Sequence, residues 1–254
     1  MKYYVLSSSS KKGNSTLIES NGKYLLIDAG TKKEKLKDIF NNLKISLKDI
    51  PYVLLTHEHT DHIYSLDLFK YSSVFTSQRL FNYLSSKTHL ALANFIDVKP
   101  YVPFYLEDFK VTPILNSHDG KNQSFGFIIE VENMKISYVS DTGYIPTRNY
   151  AYLNDSDYYI FESNHDIKML INSKRPHELI ARILSDTGHL SNLAAADALE
   201  NVVGTKTKEI TLIHLSEDCN NADMALKEIK KHPIFDNIKV QVANYDEVTL
   251  GGQR

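Results

Sequence analysis

An apolar run from Tyr52 to Thr56 ends abruptly in His57, His59, Asp61 and His62. The run has the length and β-propensity of a short buried strand, so these four polar side chains emerge together where the strand stops. Neutral imidazole and ionised carboxylate are ligands of zinc, manganese and iron. His57 and His59, two apart in extended chain, project toward one ion, while Asp61 and His62 come later and face a second. A solvated polar turn has no reason to gather three histidines beside an aspartate.

This cluster cannot complete two coordination shells, because a catalytic ion usually takes three protein ligands plus water. Further ligands are expected at other strand ends, and three such ends carry them. Phe109 to Leu115 leads into Asn116-Ser117-His118-Asp119-Gly120, Ile136 to Val139 into Ser140-Asp141-Thr142-Gly143, and Ile210 to Ile213 into His214-Leu215-Ser216. His118, Asp141 and His214 are therefore the additional candidates.

In this order the residues resemble the metallo-β-lactamase-fold hydrolases, whose motifs run from an early aspartate through His-x-His-x-Asp-His to a histidine, an aspartate and a last histidine. Asp28, in Leu25-Leu26-Ile27-Asp28-Ala29-Gly30, supplies the first element. The resemblance implies that His57, His59, His118 and Asp141 hold one metal and that Asp61, His62, Asp141 and His214 hold the other. Asp141 would bridge the pair. The chain is similar, more closely, to the YycJ/WalJ branch, exonucleases associated with DNA mismatch repair. Leu55 to His62, Ser140 to Tyr144, Phe161 to Asp166, Gly188 to Asn192 and His214 to Ser216 carry that likeness. The early loop departs from the branch pattern Ser-Gly-Ser-x-Gly-Asn, because Ser7 to Ser10 are followed here by Lys11-Lys12-Gly13-Asn14.

With 254 residues, 42% of them hydrophobic, the chain has enough apolar material for one layered α/β domain spanning residues 1–254. No apolar stretch reaches the length of a membrane span, and Met1 to Leu6 is too short and polar to lead into a signal-peptide core. A cytoplasmic setting without membrane contact is expected. Cys219 is the lone cysteine, which excludes an intrachain disulfide and leaves the metals to nitrogen and oxygen ligands. It reads as a small buried hydrophobe. A formal charge of −2 does not describe a basic protein, so nucleic-acid contact requires local positive charge. Lys11, Lys12, Arg148, Lys168, Lys174 and Arg175 are the candidates for such a rim, with scattered solubilising charge as the alternative.

Strand patterns alternate with helical ones. Leu36, Ile39, Phe40 and Leu43 recur at helical spacing, as do Leu179, Ile183 and Leu184 after Pro176. Leu193 to Val203 reads as an Ala-rich helix capped by Ser191 or Asn192, and Ala222 to Lys231 as another. Leu25 to Gly30 echoes Ser137 to Gly143, each an apolar strand ending in aspartate near a glycine. Two similar β/α halves meeting at their strand ends predict a four-layer αββα sandwich.

Two metals about 3.5–4 Å apart bind a bridging water and make hydroxide available near neutral pH. No serine or cysteine nucleophile is required, and Ser7 to Ser10 reads as a turn whose hydroxyls bond backbone. Asp61 also holds the hydroxide's proton in the resembling family, and Asp28 reads as an acceptor that braces the ligand loop. His165 and His189, each beside an element terminus, are the candidate proton donors to a departing sugar oxygen. His89, His177 and His232 read as surface residues without partner ligands. The expected function is that of a dinuclear hydrolase, using zinc, manganese or iron, that cleaves phosphodiester bonds in DNA. Hydrolysis of a small ester, thioester or lactone, and metal-dependent binding without turnover, are the alternatives.

Overall fold

Most strands are buried on both faces, and successive side chains pointing to opposite sides place one set between two sheets packed face to face and the other under helices. The computed structural model describes residues 1–87 and 94–252. Its first half runs β1 (Lys2–Ser7), β2 (Ser15–Ser20), β3 (Lys23–Ile27), α1 (Lys33–Leu43), β4 (Tyr52–Leu54), α2 (Thr60–Ile63), β5 (Ser73–Thr76), α3 (Gln78–Lys87) and β6 (Asn94–Asp97). The second half begins with β7 (Phe104–Leu106), β8 (Phe109–Asn116), β9 (Ser124–Val131), β10 (Met134–Val139), α4 (Thr147–Leu153), β11 (Tyr158–Glu162) and α5 (Ile167–Ile171). It continues through α6 (His177–Ile183), α7 (Asn192–Glu200), β12 (Glu209–Ile213), α8 (Ala222–Ile229), β13 (Lys239–Val242) and β14 (Thr249–Gly252).

The sheet orders are β14-β1-β2-β3-β4-β5-β6 and β13-β12-β11-β10-β9-β8-β7. Thus β14 leaves the second half to pair antiparallel with β1, Leu250 opposite Tyr4. Tyr3, Ile18, Leu25 and Ile27 from the first sheet meet Phe109, Phe127, Ile136 and Ile160 from the second in the central core. Leu17, Leu26, Val53 and Val74 point the other way, under Leu36 and Phe40 of α1 and Leu80 and Leu84 of α3. Val139, Phe161, Ile210 and Leu212 face Ala195 and Leu199 of α7 and Ala225 and Ile229 of α8. Helix, sheet, sheet, helix is the αββα order expected from the sequence.

Several boundaries differ from the sequence reading. β4 stops at Leu54 rather than Thr56; the Leu55 N–H makes a last bond to the Phe75 carbonyl of β5, and the Thr56 N–H turns instead to the Asp28 carboxylate. α7 stops at Glu200 rather than Val203, with Ser191 as its N-cap. Among the described residues, no helix is long and apolar enough to cross a membrane. His89 lies outside the described residues.

Strands β3 to β6 run parallel, and so do β10 to β13. Their carboxyl ends open on one edge of the sandwich, the usual location for ligands in such sheets. Asp28 and His214 follow β3 and β12 directly and Asp141 follows β10 after Ser140, with φ of 58°, 62° and 57° respectively. The left-handed conformation is costly for residues with a Cβ, and here it turns the chain sharply at the sheet ends. Gly30 completes the first of these turns. Its N–H bonds the Asn14 carbonyl, and a Cβ there would sit 1.6 Å from the Asp61 carbonyl oxygen.

Gly30→Ala is therefore expected to cost roughly 3 kcal/mol by forcing backbone apart. Gly22→Ala, whose Cβ meets open space at φ +74°, should cost only about 1–2 kcal/mol. Equal destabilisation of the two variants in chemical unfolding would refute this account of the turn.

Candidate metal centre

Thr56 makes the first connection at the site. Its N–H and hydroxyl both donate to the Asp28 carboxylate, at 2.9 and 2.8 Å, which fixes the chain as it leaves β4. His57 follows, and His59, in extended backbone, caps α2, so that one helical turn delivers Asp61 and His62. The carbonyls of both Asp61 and His62 are held from below, by the N–H groups of Asn14 and Ala29 at 2.8 Å each.

The donors form two groups around Asp141. Ligand atoms of His57, His59 and His118 lie within 4.8 Å of one another, as do those of Asp61, His62 and His214. Asp141 Oδ1 is 4.0 Å from His57 Nε2, 3.7 Å from His118 Nε2 and 3.5 Å from His214 Nε2, while its Oδ2 is 3.2 Å from His62 Nε2. All seven residues expected as ligands thus converge, although their strands belong to different sheets.

Three of the rings are presented in a defined sense. His62 Nδ1 is 2.7 Å from Asp28 Oδ2, His118 Nδ1 is 3.1 Å from the Gly188 carbonyl, and His214 Nδ1 is 2.9 Å from Glu162 Oε1. These oxygens accept, so Nδ1 carries a proton and Nε2 is the atom turned inward. Among the described residues, the buried Nε2 atoms of His57 and His214 have no hydrogen-bond partner. Orphaned buried nitrogens facing a shared carboxylate fit a metal ion.

The electrostatics agree. Burial opposes charge on His62 and His214, yet Asp141 and its neighbouring carboxylates raise His62 well above the usual range and His214 to about 10. Burial, reinforced by His62, drives His57 well below it, and burial also lowers His118. The centre holds a surplus of buried negative charge that requires cations, whether protons or metals. Bound metal would displace the protons on His62 and His214.

Glu162 was not singled out by sequence reasoning, and it organises the opposite wall. Its Oε1 lies 2.8 Å from His189 Nδ1 and 2.9 Å from His214 Nδ1, and its Oε2 accepts from the Thr142 N–H at 2.9 Å. Burial would raise its pKa, but the His189 and His214 imidazoles hold it down to about 2. A glutamate closing a fully buried five-residue strand is the signal that marks it. Asn14 was also missed; its Nδ2 donates to Asp61 Oδ2 at 3.2 Å. Glu58, inside the histidine motif, instead accepts from the Lys121 and Asn122 N–H groups and so pins the loop that bears His118.

The two candidate donors differ. His189 joins Asp141, Glu162 and His214 in one donor group and lines a cavity of about 360 Å³ with Lys11, Asn164, Arg175, Arg182 and Asp218. His165 belongs to none of the donor groups found among the described residues. It is buried, with no hydrogen-bond partner for either ring nitrogen among those residues, and burial lowers its pKa to about 4. Its backbone pairs with Ser191, anchoring the start of α7.

Elsewhere, Ser9 accepts from the Lys11 and Lys12 N–H groups in the serine turn, and Cys219 is buried. Arg148 stacks over Tyr101 at 3.8 Å and does not line the cavity. His177 is exposed. His232 corrects the surface reading: it is half-buried, with Nδ1 3.0 Å from Glu200 and Nε2 4.0 Å from Asp197. The turn after α8 brings it onto α7, a proximity that linear sequence does not display.

Glu162→Gln should loosen metal about 10–100-fold, because it removes the charge that holds both imidazoles and sets an NH2 group against the Thr142 N–H that Oε2 accepts from; unchanged metal retention in chelator competition would refute that role. His165 gives a pH prediction. Its folded pKa of about 4 lies below the 6.5 of an unfolded histidine, so its neutral burial favours folding fully above pH 6.5. That contribution declines as pH falls toward 4, by roughly 3 kcal/mol in all. Urea unfolding of His165→Asn should show a shallower acid loss than the parent over this window, and parallel curves would contradict the assignment.

The model for the beta-lactamase superfamily domain matches residues 23–215. The chain is 32% identical over 243 residues to the exodeoxyribonuclease YycJ of Bacillus anthracis, covering 91% of this chain and 88% of that one. It is also 32% identical to the exodeoxyribonuclease WalJ of Streptococcus pneumoniae serotype 2, strain D39, covering 88% and 85%. Among solved structures, the metallo-beta-lactamase fold protein YhfI from Bacillus subtilis superposes with a TM-score of 0.76 at 18% identity, covering 98% of this chain and 99% of that one. Sequence likeness along most of the chain, the shared fold and the converging donors lead to one assignment: the chain belongs to the beta-lactamase superfamily of metal-dependent hydrolases, in the YycJ/WalJ branch.

Proposed function

We propose that this hydrolase is a dinuclear phosphodiesterase that degrades DNA from an end. The observation that carries the two-metal reading is the pair of donor groups flanking Asp141, each supplying three further ligand atoms. His57, His59, His118 and Asp141 would hold one ion, and Asp61, His62, Asp141 and His214 the other. Zinc, manganese and iron all suit this nitrogen and oxygen set. When bound, the ions supply an activated water near neutral pH and neutralise charge on the phosphate oxygens.

DNA as substrate is supported by the exodeoxyribonuclease relatives and by the lining of the adjacent cavity. Lys11, Arg175 and Arg182 border it beside His189, so a phosphate chain leaving the centre meets guanidinium and ammonium groups. Within the site, Asp61 orients the attacking water. His189, with Nδ1 tied to Glu162, offers Nε2 to the departing sugar oxygen as proton donor. His165 is neutral at pH 7 and would take a proton only against an anionic substrate, as a second donor.

The test is digestion of end-labelled single-stranded and duplex DNA with zinc or manganese, beside generic esters and lactones. DNA shortening from an end is expected, with Asp61→Ala and His189→Ala slower by about 10²–10⁴-fold. A substrate with a low-pKa leaving group should restore much of the His189→Ala rate and little of the Asp61→Ala rate. Cleavage of esters alone would overturn the nuclease reading, and metal uptake without turnover would favour a binding protein.

A further inference from the structure

Asp119 follows His118, and its two oxygens have unlike surroundings. Oδ2 accepts from Arg182 Nε, across from α6. Oδ1 is buried and has no hydrogen-bond partner among the described residues. It lies 3.5 Å from His118 Nε2 and 4.0 Å from His59 Nε2, too far for hydrogen bonds to either ring.

Those separations match another kind of contact. Two donors each about 2.1 Å from a common ion lie ~3.4 Å apart at a tetrahedral angle, and up to ~4 Å apart as that angle opens. The distances from Asp141 Oδ1 to His118 and His57, 3.7 and 4.0 Å, fall in the same range. Asp119 Oδ1 is therefore spaced from His118 Nε2 much as Asp141 Oδ1 is, at 3.5 and 3.7 Å. A surface ion pair with Arg182 explains Oδ2 and leaves Oδ1 unaccounted for, since a buried carboxylate oxygen without a partner is costly.

We propose that Asp119 Oδ1 is a further ligand for the ion held by His57, His59 and His118, and that Arg182 is a positioning residue that fixes the carboxylate for it. This rests on the metal-binding reading above and makes the two sites alike in their carboxylates. The outer ion has a carboxylate of its own besides the shared Asp141, just as Asp61 serves the inner ion. Arg182 also lines the cavity beside His189, so the residue that orients this ligand borders the space where substrate would lie.

The test measures metal rather than turnover. Parent protein, Asp119→Asn, Asp119→Ala, Arg182→Gln and Arg182→Lys are loaded with zinc, dialysed against graded chelator and assayed for metal per chain. His118→Ala and His214→Ala mark loss of the outer and inner ion. The same proteins are loaded with cobalt(II), whose visible spectrum reports the ligand set. Asp119→Asn, nearly isosteric and so able to fold where Asp119→Ala does not, should lose the outer ion about 10–100-fold more readily and change the cobalt spectrum. Arg182→Gln should show a smaller loss that Arg182→Lys restores in part. If Asp119→Asn retains both ions with parental affinity and spectrum, the inference fails while the two-metal reading stands. If the parent takes up no metal, both fall.

Discussion

The site depends on the anchoring of imidazoles through Nδ1. Asp28, the Gly188 carbonyl and Glu162 each take the inner-facing choice away from a ring by accepting its Nδ1 proton. An unanchored imidazole has two tautomers and a free rotation, and would lose conformational entropy on binding an ion. Here that entropy is lost on folding, and the loss is offset by burial of the two sheets against each other. Asp141 accordingly sits amid rings whose orientations are set from outside, the nearest of them His62 at 3.2 Å.

The fold holds this arrangement through unfavourable local conformations. Asp28, Asp141 and His214 all occupy the left-handed region, where a β-carbon costs on the order of 1 kcal/mol each. Such positions persist when surrounding packing over-determines them. The buried strands leading into them, Leu25 to Ile27, Ile136 to Val139 and Glu209 to Ile213, provide that packing. The shared sharp turn after β3 and β10 is also what the repeated apolar-Asp-Gly pattern in the sequence records.

Much of the centre was legible in the sequence because its ligands stand at or shortly after strand termini. There, a switch from apolar to polar residues is visible without knowledge of the fold. His118, Asp141 and His214 were found in this way, and the layer order followed from the alternation of periods. Glu162 and Asn14 were less visible because what they contribute is defined by their partners: Glu162 by two rings 27 and 52 residues away, Asn14 by an aspartate 47 residues away. Strand and helix ends moved for the same reason. Tertiary hydrogen bonds, such as Thr56 to Asp28, overrode a local pattern that would have extended β4. The contact of His232 with α7 likewise comes from packing rather than periodicity.

The mouth of the cavity carries a different lesson. Arg182 is matched to Asp119, and Arg175 and Lys11 both reach Asp218. Its three cations thus share two tethered carboxylates, which take over most of the neutralisation that mobile salt would otherwise supply. A polyanion arriving there would swap partners with groups that remain attached to the protein, so few small ions would gain the freedom of bulk solution. Attachment at this mouth would then be governed by shape and exchange of contacts, and would respond less steeply to ionic strength than the number of basic side chains suggests.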